Sequence, residues 1–541
     1  MQAAYINLIS YFCPLGNTSA ACLTQNSPPG QNASLLLLGC GDVRNTLFTA
    51  YMNSGQDDRV LDITCCDIEP AIIVTKASLQ NWHGSTYGRY LRFCDTKTLS
   101  LVREVWVTYA VTGLSEKEKQ RQKKAFKSEI RKAKDMKTSR SIMISFRMPQ
   151  LNNEFWDSGV TTKDPQARSK AKHPNPMFSA SPYSTSTIHY GTEPILGFHT
   201  ATAYAPLQQN SPLHPGTGHL LDKHTHKTIQ AAQVQFGQWS KSFRKSVERN
   251  IVLRFYAGDA LSFGHTLSHN ARSDYERTHP APSLFDVIET SNLVDHVGAV
   301  NLMVAAVPLL INSPSSVLYT ETLLRLEGSF EDAANSLLCG NLPTMAVLFG
   351  IVPVEYWTNT TAVSSGEELI LDSVMKNTNS IAWRRPMSST TETIPTCYRP
   401  VQLKHAELSC LLYEVYLQMF SHENVSDPFA TLPSAISVMP VLQSIQKKSL
   451  PRHHRGSFAL LLRFLRANLN VDWEEMMNSL LEKNLSDSTL IVGHSFIQEL
   501  FVYLYIFGLH TMESFTPSLT HLGKCFRGRT IYLWVSQYLR I

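Results

Sequence analysis

Gly39 and Gly41 bracket a single residue directly after the apolar run Leu35–Leu38, and Asp67 follows at the end of a second apolar run, Val60–Cys66. That spacing suits a cofactor pocket. Glycines allow a tight turn and let the backbone approach a ligand without a Cβ in the way. The helix after such a turn offers N–H groups to a negatively charged ligand, and an acid closing the second strand is placed to accept from ribose hydroxyls. Asp259, in "YAGDA", closes a third strand where an adenine edge would lie. Asn292, Asp295 and His296, in "FDVIETSNLVDH", fall beyond a fourth, at the mouth of the same pocket. The expected ligand is S-adenosylmethionine, held by Gly39, Gly41, Asp67 and Asp259. If methyl transfer occurs, catalysis is chiefly positioning, with Asn292, Asp295 or His296 orienting the acceptor.

Two positions depart from the standard patterns. Arg44 stands where a Gly-x-Gly-x-x-Gly turn has its third glycine, which weighs against a dinucleotide. Leu37 stands two residues before Gly39, where many S-adenosylmethionine enzymes carry an acid. A scaffold that keeps this architecture without a ligand is therefore the competing reading.

Other reactive residues lack the company their chemistry needs. His265 and His269, and the pair His224 and His226, have no cysteine partner and no His-Glu-x-x-His context, so no metal is expected. Ser495 in "LIVGHSFI" imitates a nucleophile elbow, but Ile497 stands where that turn requires glycine. The 10 cysteines are scattered, and Cys65 and Cys66 lie inside an expected strand. That usage fits a reducing compartment, with the cytoplasm as first expectation and the nucleus as second.

The elements that must position these residues follow from hydrophobic pattern. Leu35–Leu38 and Val60–Cys66 read as buried parallel strands, with a helix between them capped by Asp42 and running to about Met52. Ile251–Ala257, Phe285–Thr290 and Val317–Glu321 add three strands, with one long apolar helix over Leu293–Leu310. A further helix is expected from Pro70. The alternation predicts an α/β fold with a Rossmann-like, methyltransferase-type parallel sheet and a large insertion after its second strand. Residues 1–84 and 246–384 form the two parts of that domain, and 85–245 the helical and loop-rich insertion. Residues 385–541 form a mainly helical C-terminal region, with helices over Leu403–Phe420, Gly456–Ala467, Trp473–Lys483 and Ser495–Gly508.

The net charge of +5 is concentrated. Leu114–Arg140 holds eleven Lys or Arg against four Asp or Glu, and its one aromatic, Phe126, makes no stacking platform. A solvated helix is expected there, and a nucleic-acid or chromatin adaptor ranks last among the functions. The stretch Leu490–Leu509 is interrupted by His494, Gln498 and Glu499, which predicts a buried helix and no membrane partner.

The segments "FCPLGNTSA", "LLLLGCGDVRNTLFT", "LDITCCDIEPAII", "YGRYLRFCDTKTLSLVRE", "NLVDHVGAVNLMVAAVPLL" and "VLYTETLL" resemble fungal MYND-finger-associated proteins. The N-terminal domain of unknown function of that family is shared with axonemal dynein assembly factor 3. The resemblance implies a methyltransferase-like fold without a demonstrated reaction, and protein partners of unknown identity. Relatives often end in a MYND zinc finger. This sequence contains no Cys-x-x-Cys, so neither the finger nor its zinc is expected.

Overall fold

The computed structural model describes residues 18–55, 58–68, 87–109, 224–268, 281–322, 330–354, 379–386, 401–421, 453–487 and 493–510, with scattered positions between them. The helix expected from Pro70 and most of the basic segment lie outside the described residues. Those described between 117 and 131 are helical and almost all exposed.

The apolar runs form the centre of an eight-stranded sheet. Its strands are β1 (Ala33–Leu38), β2 (Leu61–Asp67), β3 (Leu91–Phe93), β4 (Ile251–Ala257), β5 (Val287–Glu289), β6 (Val317–Thr322), β7 (Val352–Pro353) and β8 (Asn379–Arg384). Their spatial order is β3-β4-β2-β1-β5-β6-β8-β7. The first six run parallel, while β8 is antiparallel to both β6 and β7. The order reverses at β1, which has β2 on one side and β5 on the other. Leu37 lies in register with Cys65 of β2 and with Glu289 of β5.

Successive side chains of β1 point to opposite faces. Leu35 and Leu37 join one core cluster, Leu36 and Leu38 the other. On the Leu35 face lie α1 (Arg44–Met52), α2 (Thr96–Tyr109) and α3 (His224–Val247), which bring Ala50, Val102 and Val247 into that cluster. Opposite them lie α4 (Ala260–Ser268), α5 (Leu293–Val297), α6 (Ala299–Ala306), α7 (Phe330–Leu338) and α8 (Leu342–Phe349). The C-terminal helices α9 (His405–Met419), α10 (Arg455–Asn468), α11 (Trp473–Ser486) and α12 (Gly493–Ile506) continue this second layer. Leu412, Leu462, Met476 and Leu504 share one apolar cluster with Leu302 and Met303 of α6. The helical C-terminal region and the sheet thus have a common core.

Three expectations change. The single helix over Leu293–Leu310 is broken at Gly298, whose φ of +83° is left-handed, and ends in a 3₁₀ turn at Val307–Leu309. Leu91–Phe93, within the stretch read as an insertion, pairs with β4 and extends the sheet. Asp42 sits one residue before the N-cap, Val43, although its Oδ1 still accepts the Arg44 N–H at 3.1 Å. No helix among the described residues is long and apolar enough to cross a membrane.

Candidate functional site

In open α/β sheets, ligands bind beyond the carboxyl ends of the strands where the order reverses. Gly39 and Gly41 follow β1 at that point, with φ of +68° and +54°, backbone that a side chain would strain. Gly39 and Cys40 donate their N–H groups to the Cys66 carbonyl at 2.9 and 3.1 Å. The Gly41 N–H donates to Asp67 Oδ2 at 3.2 Å, and Asp67 is buried. Hydrogen bonding to the Cys65 thiol, followed by burial, pushes the Cys40 thiol up, the opposite of what activates a thiolate nucleophile.

Asp259 lies in the adjoining loop, which is tied to the same acid by the Gly258 N–H donating to the Asp67 carbonyl at 2.8 Å. Its carboxylate accepts the Ser262 N–H at 2.7 Å at the start of α4, a helix-capping role. Burial raises its pKa, opposed by the hydrogen bonds from Ser262 and Leu261. Gly39, Gly41, Asp67 and Asp259 are thus brought together.

Asn292, Asp295 and His296 occupy α5 and the residue before it. Asn292 Nδ2 lies 3.3 Å from His296 Nε2, and the Thr322 hydroxyl donates to Asp295 Oδ1. Leu293 links this segment to the glycine turn: a Cβ added at Gly39 would lie 3.2 Å from Leu293 Cγ.

Sequence reasoning missed two features of this neighbourhood. The first is Glu289, which ends β5 three residues before Asn292. Burial, then the charge of Glu321, raises its pKa to about 8, against a smaller opposing effect of the Ser291 N–H bond at 2.8 Å. A carboxyl group kept neutral near pH 7 can donate a hydrogen bond. Ser291, which supplies that N–H, has a φ of 47°. The acid was visible in "VIET", but its neighbour Glu321 comes from β6.

The second is the setting of Arg44. Its side chain is buried and paired with Asp42, whose Oδ2 also accepts the Gly16 N–H at 2.7 Å. A Cβ at Gly197 would fall 0.5 Å from Arg44 Nη1, and one at Gly16 2.0 Å from Nη2. The segment around Gly197 is held in turn by Phe198, stacked 5.3 Å from Trp239 of α3, and by His199, whose N–H donates to Gln235 at 3.0 Å. Arg44 therefore locks the segments at Gly16 and Gly197 against the start of α1.

The fold and site define an α/β protein with a mostly parallel sheet and an acid-lined strand-order reversal. Residues 14–79, which include the glycine turn and Asp67, match the family described as Domain of unknown function (DUF4470). No curated protein and no solved structure matches the chain.

Proposed function

We propose that this chain is a methyltransferase-type Rossmann domain acting as a non-catalytic scaffold or assembly factor for protein partners. The observation that carries the reading is the use of the turn by its own chain. Gly39, Cys40 and Gly41 all donate within the protein, Asp67 is bound to Gly41, and Arg44 and Asp42 hold Gly16. The methyltransferase type is supported by strand order. A dinucleotide-binding sheet runs 3-2-1-4-5-6, whereas here the antiparallel β8 stands between β6 and β7. The resemblance to dynein assembly factor 3 and to MYND-associated proteins agrees with such a role.

Calorimetric titration of the full chain with S-adenosylmethionine tests this, with Asp67→Ala as control. The expected result is no saturable heat and no thermal shift at millimolar ligand. A second reading, S-adenosylmethionine binding by Gly39, Gly41, Asp67 and Asp259, is favoured by Glu289 and the left-handed Ser291 beside the reversal. Saturable heat that disappears in Asp67→Ala would establish it and overturn the scaffold.

A further inference from the structure

Helices α8 and α9 wall an open groove of about 600 Å³, well away in sequence from the glycine turn. Its apolar lining includes Leu411, with Met345 and Val415 almost fully buried beneath it. The α9 wall is one helical stripe, for Glu407, Cys410, Leu411, Glu414 and Gln418 recur at the three- and four-residue spacing that shares a face. The inward stripe of α9, Leu408, Leu412 and Met419, goes to the core. Gly340 lets the backbone pack closely on the floor, since a Cβ there would sit 2.9 Å from Met345 Sδ and 3.5 Å from Val415 Cγ2.

The charge that the described residues place on this groove has one sign. Among the described residues, Glu407 and Glu414 line it and no Lys or Arg does. Glu407 pairs with Lys404 at 3.4 Å, but both side chains are largely exposed, so a partner's cation can replace Lys404 at little cost. Glu414 has no ion pair among the described residues. An apolar trough edged by carboxylates complements an amphipathic helix that carries Lys or Arg beside its apolar stripe.

We propose that the groove between α8 and α9 docks a basic amphipathic helix of a partner protein. The inference rests on the groove and holds whether or not the glycine turn takes a ligand.

A labelled synthetic helix about five turns long tests it, with leucines at helical spacing flanked by lysines, and a twin peptide with glutamates in their place. Fluorescence anisotropy with the full chain should show saturable binding of the lysine peptide and binding at least about tenfold weaker for the glutamate twin. Glu407→Lys combined with Glu414→Lys should reverse that preference. Both sites are exposed, so even with Glu407 in the first turn of α9 only a small fall in melting temperature is expected, which confirms folding. Saturating lysine peptide should also slow alkylation of the exposed Cys410 thiol, read by peptide mapping. The proposal is overturned by no saturable binding, by equal binding of the two peptides, by an unaltered preference in the double variant, or by unprotected Cys410.

Discussion

The Asp67 carboxylate and the Gly41 N–H lie 3.2 Å apart, joining the end of the second strand to the turn that follows the first. The acid best placed by sequence to meet a ligand is therefore part of the fastening of its own turn. Removing it should be felt in stability. Asp67→Ala leaves a partly buried N–H without its acceptor and should lower stability by about 1–3 kcal/mol, while Asp67→Asn, which keeps a carbonyl oxygen, should lose less. Urea denaturation checks the order of the two variants, and equal midpoints would show that the turn does not depend on this bond.

Arg44 and Gly197 form a coupled pair. Gly197→Ala puts a methyl where Arg44 Nη1 lies, so the buried guanidinium must leave Asp42 or the segment must shift. A loss of about 2–4 kcal/mol is expected. In an Arg44→Leu background the same substitution should cost far less. A double-mutant cycle measures that difference, and additivity would refute the packing described for Arg44.

Glu289 sets an alkaline dependence. Its carboxyl titrates at about 8 in the folded chain, against an ordinary value of 4.5 when unfolded. Between those values the unfolded state has released a proton that the native state still holds. The contribution is complete below about pH 4.5 and lost as pH rises to about 8, by on the order of a few kcal/mol. Glu289→Gln should flatten this limb. Denaturation midpoints at about pH 5 and about pH 8 decide it, because a wild-type slope that survives in the variant cannot come from Glu289.

His454 produces the opposite limb. Burial lowers its pKa from 6.5 to about 4 at the N-cap of α10, where its ring packs against Gly456 and lies 5.8 Å from the Tyr503 ring. On acidification the unfolded state takes up a proton first. Stability is therefore full above about pH 6.5 and declines towards about pH 4. His454→Asn removes the titration while keeping a side chain suited to a helix start. Melting temperatures across that range should fall less steeply than in the wild type.

The central strands were legible because each is a short, mostly apolar stretch, continuous at Leu35–Leu38, and the C-terminal helices fell within a few residues of their expected ends. Leu91–Phe93 and Val352–Pro353 are too short to show a period, and Asn379–Arg384 joins the sheet only by lying between two other strands. Gly298 broke the expected helix because one left-handed residue outweighs a favourable apolar pattern. Arg44 was visible as a departure, but its role depends on Gly16 and Gly197, one from before the first strand and one from the stretch read as an insertion.

From the residues alone came the alternation of strand and helix, the Gly39–Gly41 turn and the acids that close the strands, because each depends on a few neighbouring side chains. The tertiary structure decided what Asp67 does and brought in Glu289 and the role of Arg44, which the sequence reading did not supply. Asp67 meets Gly41, Glu289 meets Glu321, and Arg44 meets Gly197 only after parallel pairing and helix packing bring distant segments together. Hydrogen bonding, desolvation and steric exclusion act over a few ångströms in space, whatever the distance along the chain.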